Sequence, residues 1–150
     1  MQEWYQLVKV CAKEFNLDPN LCAALAAGES GIGGQEVRFC WVSHGKYLAP
    51  YNLHKSVVKR YGVTDWKSCT KVGIMLLANK LEKYGSLWAA LRHYNTDDGP
   101  REFEGYYNNI KRLKRWYEKR RVFDDNLVYL GMRKKLFEGL PIKLAMRISR

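Results

Sequence analysis

Apolar residues recur at helical spacing from the start of the chain. Trp4, Leu7, Val8, Cys11 and Phe15 stand at i, i+3, i+4, i+7 and i+11, which predicts a first helix with one buried face. A second helix is predicted from Pro19. Asp18 suits the N-cap, and Pro at the first helical position gives up no needed hydrogen bond. Leu17 and Cys22 occupy the apolar staple positions around that start. The helix continues through the Ala-rich stretch from Leu21 to Ala27. It should end near Ser30, because Gly31, Gly33 and Gly34 follow.

Periodicity is lost from Gly31 to about Pro50. This stretch reads as a long shaped loop, with a short extended piece over Val37 to Val42. Helical spacing then returns. A short helix is predicted over Leu53 to Tyr61, and a longer one over Trp66 to Tyr84 with Gly85 as its C-cap. The apolar run Val72 to Ala78 marks that longer helix as central and nearly surrounded. Ser86 can cap a further helix carrying Leu87, Ala90, Leu91 and Tyr94 on one face. The turn residues from Asn95 to Pro100 end it. Phe103, Tyr106, Tyr107, Ile110, Leu113 and Tyr117 share a face of the next helix. Beyond Phe123 the pattern weakens. A helix could start at Asp124 and Asp125 and run to Leu136, before Gly139-Leu140-Pro141 breaks it. The expectation is an all-α globular domain over residues 1–123, with one long irregular loop and a basic helical extension over 124–150.

Composition adds constraints. The chain's 150 residues fit one domain with its own core, and five Trp, ten Tyr and five Phe oppose disorder. No apolar run approaches the roughly 20 residues of a bilayer span. No basic stretch followed by an apolar core opens the chain, so no signal peptide is expected in it. The net charge of +11 attracts polyanions: nucleic acid, anionic lipid or bacterial cell wall. Seven Lys or Arg against one acid, Glu118, crowd Lys111 to Arg121. Cys11, Cys22, Cys40 and Cys69 are too widely spaced for a zinc site and read mainly as free, buried thiols. His44, His54 and His93 are too scattered to suggest a site.

The chemistry centres on Glu29. It sits at the C-terminal end of an apolar helix, beside apolar neighbours and the negative end of the helix dipole. Both raise a carboxyl pKa, which is what a general acid at neutral pH requires. The segment from Leu17 to Glu29-Ser30, then a Gly-containing loop, then Lys71-Val72-Gly73 in a buried helix, then His93-Tyr94-Asn95-Thr96 closing a short helix, resembles the soluble lytic transglycosylase (SLT-type) family of peptidoglycan lyases. The resemblance covers about residues 3–117 and is to a divergent branch, of the kind found in phages and transfer systems. The family's Gly-Leu-Met-Gln loop is represented here by Gly45 to Pro50, which lacks the Gln. Cys69 stands where the family's central helix has Asn, and His93 precedes Tyr94-Asn95 where the family has Ala.

The resemblance implies a lysozyme-like fold and cleavage of the β-1,4 bond between N-acetylmuramic acid and N-acetylglucosamine, leaving a 1,6-anhydro end. Glu29 would act as acid and then as base, without a cofactor or metal. Tyr94 would hydrogen-bond and orient Glu29, and Ser30 and Asn95 would contact substrate. Trp41, Tyr47 and Tyr51 could offer sugar platforms from the loop. The implied partners are peptidoglycan strands, with anionic cell-wall polymers on the basic face. The implied site of action is the periplasm or cell wall, reached by export or by phage delivery.

Two alternatives stand beside this. A second carboxylate, Glu36, Asp97 or Asp98, would make the protein a lysozyme-type hydrolase. A non-enzymatic basic module would bind nucleic acid or a partner protein through its positive face.

Overall fold

A computed structural model of the chain describes residues 1–30, 33–96 and 98–124. It is mainly helical. In chain order the elements are α1 (Gln2–Glu14), α2 (Pro19–Ser30), β1 (Trp41–Val42), β2 (Tyr47–Leu48), β3 (Leu53–His54), α3 (Lys55–Arg60), α4 (Trp66–Tyr84), α5 (Leu87–Tyr94) and α6 (Pro100–Arg120). The expected extension beyond position 124 lies outside the described residues, as does Asp97.

Local chemistry sets the helix ends. The Asn20 N–H donates to Asp18 Oδ1 at 2.9 Å, opening α2 where the sequence placed its cap. Asp65 and Ser68 form a reciprocal capping box on α4. Gly85 ends that helix in the left-handed region at φ 77°, and Ser86 caps α5 through the Ala89 N–H.

The core forms around α2 and α4. Every residue of α2 from Leu21 to Ala27 is buried, and so is α4 from Ser68 to Met75. Neither helix has an exposed face along these stretches, because α1 and α6 pack on α2, and α1 and α5 on α4. On α1 burial extends beyond the expected stripe to Gln6, Val10 and Ala12. The α6 face is divided. Phe103, Ile110, Leu113 and Tyr117 are buried, while Tyr106 and Tyr107 remain partly open.

The stretch expected to be irregular supplies β1 and β2 of a three-stranded antiparallel sheet, ordered β1-β2-β3. Two-residue strands are too short to display alternation, which is why the sequence pattern missed most of it. The β1–β2 turn is closed by the Lys46 N–H on the Ser43 carbonyl at 3.3 Å. Its central His44 and Gly45 both take positive φ, 56° and 80°, the backbone that suits the twist of a hairpin. The helix expected over Leu53 to Tyr61 is shortened to α3, because Leu53 and His54 join the sheet.

Tyr51 pins this loop to the helices. It is fully buried, and its hydroxyl donates to the Cys22 carbonyl on α2 at 2.8 Å. Its ring lies on Gly73 of α4, where a Cβ would stand 2.2 Å from Tyr51 Cγ. Gly73→Ala should therefore cost about 1–3 kcal/mol of stability despite alanine's better helix propensity, since the ring must move. Urea denaturation would measure the loss, and an unchanged or raised midpoint would contradict this packing.

Candidate active site

A cleft of about 550 Å³ opens between the loop, α4, α5 and the turn after α5. Glu29 contributes its carboxyl from the end of α2. Tyr47, Asn52, Leu53 and His54 come from the sheet and its loop, and Val57 from α3. Leu76 and Lys80 come from α4, His93 and Tyr94 from α5, and Asn95, Thr96 and Asp98 from the turn.

Two donors hold Glu29. The Tyr106 hydroxyl, reaching from α6, donates to Oε1 at 2.5 Å. The Asn52 amide donates to Oε2 at 3.3 Å. Both favour the carboxylate, yet desolvation outweighs them and the nearby Asp98 charge adds to it. The Glu29 pKa is raised to about 7. Burial keeps Tyr106 and Tyr94 well above the usual phenol range, so Tyr106 remains a proton donor at neutral pH.

The expected site residues divide. Glu29, Tyr47, Tyr94 and Asn95 line the cleft together. Ser30 does not line it. It is buried, and its Oγ accepts the Arg38 N–H at 3.1 Å, which holds the start of the loop. Tyr94 makes no hydrogen bond to Glu29. Its hydroxyl donates to the Tyr51 carbonyl at 2.7 Å, because that unpaired loop carbonyl lies within reach. The orienting contact expected of Tyr94 is made by Tyr106. Tyr51 is an anchor and not a sugar platform. Trp41 is exposed outside the cleft. Tyr47 faces the cleft with its ring edge-on to His54, centroids 5.4 Å apart.

Among the proposed second carboxylates, Glu36 is exposed away from the cleft, while Asp98 lines it. Asn95 Nδ2 donates to Asp98 Oδ2 at 2.8 Å, and Arg92 Nη1 donates to the Asp98 carbonyl at 2.8 Å. The Asp98 carboxylate is thus held in place at the cleft mouth. Among the described residues no group of three His, Cys, Asp or Glu could hold a metal ion. The cysteines are all free. Cys11, Cys22 and Cys69 are buried, and Cys40 is exposed.

Sequence reasoning missed Asn52, Tyr106, Lys80, His54 and His93. Asn52 carried a readable signal, since Tyr51-Asn52 is a second Tyr-Asn pair, at the end of the Gly-containing loop. Tyr106 carried none, because its position fits the packed face of α6 equally well. The two histidines lay too far apart in sequence to be joined. Comparison of the chain with family models, curated proteins and solved structures gives no match.

The raised Glu29 pKa has a stability consequence. Between its ordinary value near 4.5 and about 7, the unfolded chain releases this proton and the folded chain keeps it. Stability falls as pH rises through that window, by on the order of 3 kcal/mol from this group. Glu29→Gln should remove this slope, and so gain stability above pH 7 relative to wild type while changing little below pH 4.5. Thermal melts across pH 4 to 8 would test it, and parallel curves for the two proteins would refute it.

Proposed function

We propose that this protein is a peptidoglycan lytic transglycosylase, built as a lysozyme-like helical domain with a small sheet beside its cleft. One observation carries the reading. One carboxyl of an open cleft, that of Glu29, is desolvated so that it is half-protonated near pH 7 and is aimed by two donors. It can therefore give a proton and take one back at the same pH.

The reaction needs little else. Glu29 protonates the glycosidic oxygen, and the bond from that oxygen to C1 of the muramic sugar breaks. The Glu29 carboxylate then takes the proton of the muramic C6 hydroxyl as O6 bonds to C1. The anhydro ring closes, the proton is back on Glu29, and no water is consumed. Tyr106 and Asn52 strengthen their hold as the carboxylate forms, so they stabilise the step between the two transfers. Tyr47 and Asn95 supply a ring and a polar contact to the sugars. The positive face of α6 draws the enzyme to anionic wall polymers, and the site of action is extracytoplasmic.

Asp98 supports a second reading. Its fixed carboxylate shares the cleft, and a water held there would make the reaction a hydrolysis. Digestion of purified peptidoglycan separates the two. Anhydro ends that resist borohydride and vanish in Glu29→Gln are expected, whereas reducible, Glu29-dependent ends would establish the hydrolase instead.

The acid role also fixes the pH profile. The kcat/KM value should be half-maximal near pH 7 on the alkaline side and fall about tenfold per unit above. Tyr106→Phe removes a contact that favours the carboxylate, so that limb moves to higher pH while kcat drops. Asp98→Asn removes a charge that opposes the carboxylate, so the limb moves to lower pH. Shifts of the same sign in both variants would exclude Glu29 as the titrating acid.

A further inference from the structure

The cleft holds a cation that neutral sugars do not call for. The glycan backbone presents hydroxyl and acetamido groups, whereas among the described residues Lys80 brings the lining's only Lys or Arg charge. Lys80 stands on α4 between Leu76 and Tyr84, one turn from each, and Tyr84 stacks on His93 with ring centroids 3.6 Å apart. Among the described residues Lys80 enters no ion pair. The two acids of the lining are otherwise engaged. Glu29 is largely protonated below pH 7, and the Asp98 carboxylate takes the Asn95 amide.

His54 adds a donor. Its Nδ1 accepts the Ser56 N–H at 3.2 Å, capping α3, and lies 2.8 Å from the Ser56 hydroxyl. A ring nitrogen that accepts a backbone N–H carries no hydrogen, so the ring hydrogen of His54 is on Nε2. Edge-on packing against Tyr47 fixes the ring. An ammonium and an imidazole N–H on the wall of one cleft are a recognition set for a carboxylate.

We propose that Lys80 and His54 form a subsite for a carboxylate of the peptide stem on the muramic sugar, so that the preferred substrate is stem-bearing glycan. This rests on the reading of the cleft as a peptidoglycan site. The same chemistry could come from the lactyl carboxylate that remains when a stem is removed, and the test separates the two sources.

Binding is measured with the full chain carrying Glu29→Gln, which should hold strands without cutting them. Three soluble ligands are compared: stem-bearing strands, strands stripped of stems by an amidase, and strands whose stem carboxylates are amidated. The stem-bearing strands should bind about tenfold more tightly than the other two, the usual scale for one charge-assisted contact. Adding Lys80→Gln should abolish that preference and leave the other two affinities unchanged. Arg38→Gln removes the same charge from the exposed loop outside the cleft and should leave the preference intact. Tighter binding of the stripped strands, lost in Lys80→Gln on those strands alone, would overturn the proposal in favour of the lactyl carboxylate. Equal affinity for all three ligands, or an equal effect of Arg38→Gln, would overturn it outright. Wild-type digestion is scored separately. Stem preference without digestion would sink the catalytic reading and keep the subsite, and digestion without preference would do the reverse.

Discussion

Tyr51 is the point on which the site's geometry depends. A loop rich in glycine has little apolar surface with which to hold itself against helices, and its ordering costs about 1–2 kcal/mol per residue in backbone entropy. Tyr51 offsets part of that cost by burying a whole ring in the notch that Gly73 leaves on α4. Both polar ends of the residue are used. The hydroxyl reaches α2 at Cys22, and the carbonyl receives Tyr94 from α5. One loop residue therefore fixes the loop against three helices. The next residue, Asn52, is delivered to Glu29 in the left-handed backbone conformation that asparagine tolerates, φ 56°.

Glu29 is poised by effects that oppose each other. Desolvation pushes its pKa up, and the hydrogen bonds from Tyr106 and Asn52 pull it back down. The balance leaves it near neutrality, where one group can serve both directions of proton transfer. Each contribution comes from a different part of the chain: α2 supplies the apolar setting, α6 the phenol, the loop the amide and the turn after α5 the negative charge. The balance therefore depends on the tertiary packing of α2 against α6, with Gly28 letting Ile110 approach where a Cβ would stand 2.3 Å from its Cδ1.

What was legible in the sequence follows from this. The helices were, because caps such as Asp18 and Ser86, and stops such as Gly85, act locally. Glu29 was legible because its setting, an Ala-rich helix end before glycines, is also local. The partners of Glu29 were not. Tyr94 and Tyr106 occupy equivalent positions on two amphipathic faces, and only the packing of α5 and α6 decides which hydroxyl meets the carboxyl. Ser30 looked like a site residue by adjacency to Glu29. One step along a helix turns the side chain by about 100°, and that turn carried it into the protein to bind Arg38.

Charge acts at two ranges in this molecule. The chain's net charge is +11, and α6 tempers its own share by pairing Lys114 with Glu118 at 2.8 Å and laying Lys111 over Tyr107. Such a field speeds encounters with an anionic wall and fades over the roughly 8 Å screening length of physiological salt, so it selects no particular bond or substituent. Selection needs charge where water is sparse and geometry is fixed. Within the cleft that description fits the Glu29 carboxyl with its donors, and Lys80 and the oriented His54 line the same cleft. Under the proposed function, Glu29 would choose the bond that is cut, and Lys80 with His54 would choose which strand is held.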